Sequence, residues 1–276
     1  MGNKSYSVLM SVYYKELPQY LRDSILSIYR QTIPTNDFVL VCDGPLSEDL
    51  DVVINEMKEK FLDRMQIIRL KKNGGLGNAL NIGIKYCKNE LIARMDSDDV
   101  SSDDRCEKEL KIFEQNPNLS IVSGNVLEFD GSVENITSCR ALPEYQRDII
   151  TFSKYRNPFN HPAIMYKKSA VINAGGYKDF YLLEDYYLWI RMLSKGFEGY
   201  NIQENILMMR SGDALYKRRG GMEYLISQYR LLEYMKEIKF INRKEYFKGA
   251  FVRTCSVLCP IALRKKLYKI AFRRTL

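Results

Sequence analysis

Apolar strand-like runs alternate with amphipathic helical segments over the first hundred residues, and this alternation restricts the fold more than any other feature. Seven segments follow one another in the order β-α-β-α-β-α-β: Tyr6–Val12, Leu17–Gln31, Phe38–Cys42, Glu48–Phe61, Met65–Leu70, Gly77–Tyr86 and Leu91–Met95. The pattern predicts an α/β fold with a parallel sheet covered by helices. Ligands bind such sheets beyond the carboxyl ends of the strands. Tyr13, Asp43 and Asp96 occupy those positions and are therefore candidate site residues.

Residues 100–242 are less regular than the first hundred. Helical spacing occurs at Asp103–Gln115 and Leu182–Lys195, and strand-like runs occur at Ser120–Phe129 and Ala163–Tyr166. The chain shows no internal repeat and no low-complexity linker. We therefore predict one compact domain over residues 1–242, followed by a helical extension over residues 243–276.

Three carboxylates within four residues follow the fourth strand directly, in Met95-Asp96-Ser97-Asp98-Asp99. Like charges this close repel each other, which costs free energy unless a cation lies among them. The run alone fits a solvated acidic turn equally well. Its place after a parallel strand, and a second acidic pair at Glu184-Asp185, favour a divalent metal. Mg²⁺ and Mn²⁺ combine a few carboxylates with phosphate oxygens, so a diphosphate ligand is expected.

Positive charge is concentrated in the last part of the chain. Ten residues between Arg243 and Leu276 are basic and only Glu245 is acidic, so this segment accounts for the whole net charge of +8. On a helical wheel an apolar face opposes a basic one; these are Leu263, Leu267, Ile270 and Ala271 against Lys265, Lys266, Lys269 and Arg273. The pattern predicts a basic amphipathic helix on the anionic inner leaflet. The alternative is a helix packed on the domain, with a solvated cationic face.

Several classes of protein are not expected from this sequence. The apolar run Thr254–Leu263 is too short to span a bilayer, and the N-terminus lacks a signal-peptide core. We therefore expect a cytoplasmic protein attached peripherally to the plasma membrane. The six cysteines form no C-x-x-C pair and there is one histidine, which argues against zinc. Nucleic-acid binding is not expected, because residues 1–242 are slightly acidic overall and contain no recognised module.

Seven short motifs occur in a fixed order: Ser7–Tyr13, Val41–Gly44, Asn73–Asn81, Asp96–Asp99, Asn160–Pro162, Gly175–Tyr177 and Glu184–Trp189. Each motif alone is weak, but the ordered set is hard to obtain by chance. Together they resemble the family 2 glycosyltransferases of the GT-A fold, and specifically the bacterial members that extend capsule, exopolysaccharide or O-antigen repeat units. The resemblance implies a Rossmann-like, mostly parallel sheet flanked by helices. It also divides the domain into a nucleotide-binding half, 1–105, and an acceptor-binding half, 106–242.

The resemblance implies roles for the residues at the strand ends. It places the uridine of a UDP-sugar donor in a pocket formed by Ser11, Val12, Tyr13 and Asp43, and Glu16 borders that pocket. Asp43 would accept the N–H of the base. From the residues alone, the alternatives are a strand-end aromatic at Tyr13 and an Asp-Gly turn at Asp43.

The same resemblance assigns the metal and the phosphates. Asp96 would contact the ribose or the metal, and Asp98 would hold the metal, Mn²⁺ or Mg²⁺; Asp99 takes that role if the register is shifted by one. Leu80 stands where the family commonly has an arginine, so no phosphate contact is expected there. Lys72 is the candidate replacement, and a solvated lysine is the alternative.

The pair Glu184-Asp185 resembles the acidic pair of the family, in which the aspartate is the general base. An inverting transferase needs one carboxylate to take the proton of the acceptor hydroxyl, and Asp185 is our candidate. The alternative is a pair of acids that merely begins a helix. Trp189 either lines the acceptor sugar or packs in the core.

Two further segments carry candidate phosphate or acceptor contacts. His161, between two prolines, is predicted to contact the metal or the diphosphate, or else to make a structural hydrogen bond. Arg210, Lys217, Arg218 and Arg219 lie in a glycine-flanked loop whose composition suits a mobile lid over the donor phosphates, or a solvated basic loop.

The resemblance implies an inverting transferase that moves a hexose or N-acetylhexosamine, and galactose is the sugar we expect first. The expected acceptor is a polyprenyl-diphosphate-linked saccharide. A sugar nucleotidyltransferase is the nearest rival, but it should carry a glycine-rich basic loop after the first strand. Val12-Tyr13-Tyr14-Lys15 has no glycine.

Overall fold

Four parallel strands form one half of the sheet, and they coincide with the four strands predicted for the first hundred residues. They are β1 (Ser7–Val12), β2 (Asp37–Cys42), β3 (Met65–Arg69) and β4 (Leu91–Asp96), in the spatial order β3-β2-β1-β4. This computed structural model describes residues 5–211 and 220–259. The predicted parallel arrangement of these strands is confirmed.

Three helices connect these strands: α1 (Pro18–Tyr29), α2 (Glu48–Phe61) and α3 (Leu76–Tyr86). The hydroxyl of Ser47 accepts a hydrogen bond from the N–H of Leu50 and caps α2, whose first turn is rich in acids. Helix α3 packs closely on the sheet at Gly83, where an added Cβ would lie 2.3 Å from Cδ1 of Leu9. A larger residue at position 83 would therefore force the buried side chain of Leu9 to move.

Side chains of the central strands alternate between two apolar clusters, one on each face of the sheet. Val8 and Met10 belong to the cluster that contains α1 and α2, and Leu9 belongs to the cluster that contains α3 and α7 (Glu184–Ser194). This alternation follows from the two-residue period of a strand. All three side chains are fully buried, as expected for a sheet covered on both faces.

The second half of the sheet is mixed. Its strands are β5 (Val100–Ser101), β6 (Leu119–Phe129), β7 (Ile136–Arg140), β8 (Ile164–Lys167) and β9 (Glu198–Arg210). Strand β8 is antiparallel to both β4 and β6, whereas β9 is parallel to β6. Helices α4 (Arg105–Gln115), α5 (Gln146–Ser153) and α6 (Lys168–Asn173) lie between these strands along the chain. Short 3₁₀ turns occur at Leu62–Arg64 and His161–Ala163.

Helices α8 (Met222–Glu237) and α9 (Arg243–Leu258) pack on each other and on α7 through a third apolar cluster. Asn242 and Glu245 form a capping box at the start of α9, and Glu245 also accepts a 2.8 Å salt bridge from Lys154. The boundary predicted after residue 242 stays a prediction. The basic amphipathic segment predicted around residues 263–273 lies outside the described residues. In the described ranges, no helix has the length and apolar character needed to cross a membrane.

Candidate active site

The carboxyl ends of β1, β2 and β4 meet at one edge of the sheet, as the alternation predicts. Ser11 and Asp96 are paired neighbours on β1 and β4, and the N–H of Asp43 donates to the carbonyl of Val12 at 2.8 Å. The side chain of Val12 is fully buried, so only the backbone of this residue can contact a ligand at the sheet edge. Tyr13, in contrast, exposes 39% of its surface and stands open to a ligand.

Asp43 organises the glycine loop that precedes α3. Its Oδ1 accepts the N–H of Gly74 at 2.8 Å, and its Oδ2 accepts the N–H of Gly75 at 2.9 Å. Gly44 has φ +92°, and a Cβ there would lie 2.6 Å from the backbone nitrogen of Asn73, so glycine is needed for this approach. The structure thus shows a loop-holding role for Asp43, and its contact with a nucleotide base stays a prediction.

The positions in this loop that were considered for phosphate contact differ in exposure. Lys72 is exposed beside the loop, where its ammonium group can reach a ligand. Leu80 is fully buried in the cluster between α3 and the sheet. Leu80 is therefore a core residue, and its side chain does not face a ligand.

The acidic run after β4 contains carboxylates in different environments. Asp96 is about one third exposed and receives two hydrogen bonds from Arg94. Burial, together with the carboxylates of Asp96 and Glu16, raises the pKa of Asp98 to about 7. Glu16 is held at the same place by the hydroxyl of Ser97. The carboxylates of Glu16, Asp96 and Asp98 therefore lie close together.

The side chain of Asp99 is hydrogen-bonded to the end of β9. Its Oδ1 accepts the N–H of Arg210 at 2.8 Å, and its side chain is buried. Burial raises the pKa of Asp99 well above its ordinary value, and the carboxylate of Asp98 adds to this rise. Asp98 is only half-buried. Of the two alternatives, Asp98 is therefore better placed than Asp99 to meet a ligand from the cleft.

The donor set fits a hard divalent cation. Asp96 and Asp98 supply carboxylate oxygens. Burial raises the pKa of Asp98, and repulsion from the neighbouring carboxylates, which a cation would relieve, adds to the rise. Within residues 5–211 and 220–259, no three Asp, Glu, His or Cys side chains form a preformed metal cage. Two carboxylates suit Mg²⁺ or Mn²⁺, because these ions commonly complete their shell with water and substrate phosphate.

Glu184 and Asp185 begin α7 and line a cleft of about 380 Å³ that also reaches Asp96 and His161. Oδ2 of Asp185 accepts a 2.5 Å hydrogen bond from the side-chain amide of Asn157, and Oδ1 accepts the N–H of Tyr186 at 2.6 Å. These bonds fix the orientation of the carboxylate. Asn157 was not predicted from the sequence; it lies three residues before the Asn160–Pro162 motif, which is the nearest signal.

Burial governs the acidity of this pair. It raises the pKa of Glu184 to about 7, with the Asp185 carboxylate as the second cause. It also raises the pKa of Asp185, although the hydrogen bonds from Tyr186 and Asn157 oppose the rise. A carboxylate with a raised pKa is a stronger base than one in water.

His161 lines the cleft and makes a structural hydrogen bond. Its Nε2 lies 2.9 Å from the hydroxyl of Tyr177, and burial lowers its pKa well below the ordinary value, so the ring is neutral. Tyr177 is held in turn by Asn81, whose side chain bonds both its N–H and its carbonyl. These contacts join the Gly175–Tyr177 motif to Asn81 of α3, the last residue of the Asn73–Asn81 motif.

The structure corrects one predicted contact and gives a second residue a structural partner. Trp189 is fully buried and its ring packs edge-on against Phe159, so the indole belongs to the core and does not line the cleft. Arg210 donates from Nε to the carbonyl of Asp98 at 3.1 Å and lies 3.6 Å over the ring of Tyr20. Arg210 therefore braces the acidic turn. Lys217, Arg218 and Arg219, predicted to form a lid, lie outside the described residues.

A second groove, of about 590 Å³, lies on the outer side of α7 and α8. Aromatic and aliphatic side chains form most of its wall, including those of Phe180, Tyr187 and Leu225. None of the residues predicted to bind the donor, the metal or the acceptor lines this groove. The smaller cleft at the sheet edge is therefore the candidate active site.

Comparison with known proteins identifies the family of the chain. The family model described as "Glycosyl transferase family 2" matches residues 7–179. An uncharacterized glycosyltransferase of Haemophilus influenzae is 39% identical over 98% of this chain and 99% of its own length. The UDP-Gal:alpha-D-GlcNAc-diphosphoundecaprenol beta-1,3-galactosyltransferase of Escherichia coli is 34% identical over 98% of each chain. The amylovoran biosynthesis glycosyltransferase AmsE of Erwinia amylovora is 36% identical over 96% of this chain and 98% of its own.

Solved structures share the fold at low identity. The crystal structure of S. aureus TarS in complex with UDP aligns with a TM-score of 0.64 at 13% identity, over 96% of this chain and 78% of that chain. The mannosyltransferase PcManGT from Pyrobaculum calidifontis, in complex with GDP-Man and Mn²⁺, aligns with a TM-score of 0.63 at 15% identity, over 98% and 76%. The chain therefore belongs to glycosyl transferase family 2 and has the GT-A fold expected from its motifs.

Proposed function

We propose that this glycosyltransferase moves a hexose from a UDP-sugar to a lipid-linked saccharide, with inversion at the anomeric carbon. One observation carries the proposal: a single cleft joins Asp96, at the end of β4, to the hydrogen-bonded carboxylate of Asp185 at the start of α7. A donor at the sheet edge and an acceptor at α7 would therefore meet within one cavity.

The names of two relatives supply the substrate class. The E. coli relative is named for UDP-galactose and a diphosphoundecaprenol-linked N-acetylglucosamine, and the E. amylovora relative for amylovoran biosynthesis. Both align with almost the whole of this chain. Galactose is accordingly the first donor sugar to test, and surface polysaccharide synthesis is the proposed setting.

Asp185 is proposed as the general base. An acceptor hydroxyl beside its carboxylate would give up its proton as the oxygen attacks the anomeric carbon and the nucleoside diphosphate leaves from the opposite face. The amide of Asn157 and the N–H of Tyr186 keep the carboxylate aimed while it is unprotonated. Glu184, with a pKa near 7, lies beside it and is the second proton-carrying group of the cleft.

The nucleotide would lie along the strand ends. In the proposal Ser11 and Tyr13 border the uridine ring, Glu16 lies beside the ribose, and Lys72 reaches the phosphates from the glycine loop. Asp96 and Asp98 would hold Mn²⁺ or Mg²⁺ against the diphosphate. The metal, when bound, supplies positive charge that stabilises the leaving diphosphate.

The last segment of the chain is proposed to bring the enzyme to its acceptor. Residues 243–276 contain ten basic residues and one acidic residue, and basic residues near an anionic leaflet contribute about 1 kcal/mol each. The proposal predicts sedimentation with anionic but not neutral vesicles. Replacing Lys265, Lys266, Lys269 and Arg273 by Gln should abolish it. The control replaces four exposed lysines of α2, α3 and α4 by Gln, and it should sediment as before; these are Lys58, Lys60, Lys85 and Lys111. Equal sedimentation of the two variants would contradict membrane attachment.

A panel of nucleotide sugars tests the function itself. The purified chain is incubated with each donor, Mn²⁺ and N-acetylglucosamine α-diphosphate carrying a short alkyl chain. We expect UDP-galactose to give a β-linked disaccharide and release UDP. Release of pyrophosphate from a sugar phosphate and UTP would instead identify a nucleotidyltransferase, and an α-linked product would exclude inversion.

A further inference from the structure

Both acidic and basic side chains line the cleft. Its acidic lining residues are Asp96, Glu184 and Asp185, and three arginines from separate parts of the chain also line it. Arg140 ends β7, Arg156 follows α5, and Arg253 lies on α9. Neither the donor pocket nor the general base described above uses any of these arginines.

Arg253 is a buried cation whose protein partners are neutral. Only 8% of its surface is exposed. Its Nη1 donates to the carbonyl of Gln228 at 3.1 Å, and its Nη2 donates to the hydroxyl of Tyr186 at 3.4 Å. Within the part of the chain that the structure describes, no carboxylate forms a salt bridge with it. Burying a charge is costly without an opposite charge, and the cleft is where such a charge can enter.

All three arginines interact electrostatically with Asp185 or Tyr186, which are neighbours at the start of α7. Arg253 and Arg156 both favour the ionised form of Tyr186, although burial raises the pKa of that phenol to about 12. Arg140 favours the ionised form of Asp185 in the same way. Electrostatic coupling of this kind falls off with distance. All three arginines line the cleft together with Asp185 and Tyr186, which places them on its acceptor side.

We infer that Arg140, Arg156 and Arg253 form a subsite for the diphosphate of a lipid-linked acceptor, an assignment that rests on the proposed function. Guanidinium groups bind phosphate through paired, charge-assisted hydrogen bonds. With the acceptor hydroxyl at Asp185, the acceptor diphosphate lies one sugar away, within reach of these arginines. Val252 and Val257 of α9 line the same part of the cleft and offer an apolar path for the start of the lipid.

Binding of citronellyl diphosphate to the full chain tests the subsite without turnover. Calorimetric titration is done with UDP and Mn²⁺ at saturation, so that the donor site is filled. We expect Arg156→Gln and Arg253→Gln to weaken binding at least about tenfold each, the effect of losing a charge-assisted hydrogen bond. Arg253→Lys should recover part of the affinity.

Arg243→Gln is the matched control, because Arg243 lies on the same helix and is exposed outside the cleft. It removes the same charge and should bind the probe as the unaltered chain does. Circular dichroism checks the fold of each variant. If Arg253→Gln does not fold, Arg156→Gln and Arg253→Lys carry the test.

Equal probe affinity in all variants would overturn the subsite. So would variants that weaken UDP binding and leave probe binding unchanged, because the arginines would then serve the donor. The proposed function fails separately. If probe binding depends on the arginines but no nucleotide sugar is transferred to a diphosphate-linked saccharide, the diphosphate subsite stands and the proposed transfer reaction does not.

Discussion

The buried guanidinium of Arg94 donates two hydrogen bonds to the carboxylate of Asp96, from Nη1 to Oδ2 at 3.0 Å and from Nη2 to Oδ1. The two residues are two positions apart on β4 and so project from the same face of the sheet. Arg105 donates to the carbonyl of Arg94 at 2.8 Å and to that of Pro162 at 2.9 Å. The strand-end carboxylate is thus oriented from within the core.

Arg94→Lys should test this orientation. Lysine keeps the charge but loses the paired donors, so the carboxylate of Asp96 would be held less firmly. We expect UDP to bind about tenfold more weakly in the presence of Mn²⁺, measured by calorimetry. Arg69→Lys is the control, since Arg69 makes a single, largely exposed ion pair with Asp51. Equal effects of the two substitutions would show that Arg94 has no special part in donor binding.

Asp98→Ala and Asp185→Asn should each nearly abolish transfer and leave the fold intact. Loss of a positioned general base typically lowers the rate about 10²- to 10⁴-fold, and Asp98 is proposed to hold the metal. Transfer from UDP-galactose gives the rate, and thermal melting checks the fold. Asp179→Asn, an exposed acid shortly before α7, should keep full activity. Substantial turnover in either variant would remove that residue from its proposed role.

The pH profile of Asn157→Ala tests the general base. Transfer requires unprotonated Asp185, so the rate should rise with pH through the pKa of that group. The hydrogen bond from Asn157 favours the charged form, and its removal raises the pKa of Asp185. The acid limb of kcat/KM should therefore move to higher pH, with the larger loss of activity at acid pH. The exposed Asn173→Ala should leave the limb in place, and a pH-independent loss in Asn157→Ala would contradict the assignment.

Two glycines of α3 should respond differently to alanine. At Gly83 a Cβ would lie 2.3 Å from Leu9 and 2.8 Å from Val41, whereas at Gly77 the nearest atom is 3.4 Å away. Gly83→Ala should therefore lower the free energy of unfolding by about 1–3 kcal/mol, as measured by urea titration. Gly77→Ala should be nearly neutral. Equal stability of both variants would contradict the close packing of α3 on the sheet.

Local signals were sufficient to predict the first half of the fold. Helix α2 has the bounds predicted for it because a serine cap and acidic first turn coincide with its apolar spacing. Strand β9 was missed because Gln203, Glu204 and Asn205 interrupt its apolar pattern, and its pairing with β6 shifts register near Asn125. Long-range pairing, which has no local signal, holds that strand in place.

The site was predicted only in part for a similar reason. Strand-end acids such as Asp96 can be predicted from their position in the sequence, because parallel strands bring their carboxyl ends together. Arg94 and Asn157 gave no such signal, since their roles exist only through partners elsewhere in the fold. The packing of Trp189 in the core depends on tertiary contacts in the same way.

Crystals soaked with UDP and MnCl₂ give the most direct test of the metal site, because manganese is identified by its anomalous scattering. We expect one anomalous peak next to the carboxylates of Asp96 and Asp98 and the diphosphate of UDP, with the uracil beside Tyr13. A nucleotide bound elsewhere, or at the strand ends without manganese at these two carboxylates, would contradict it.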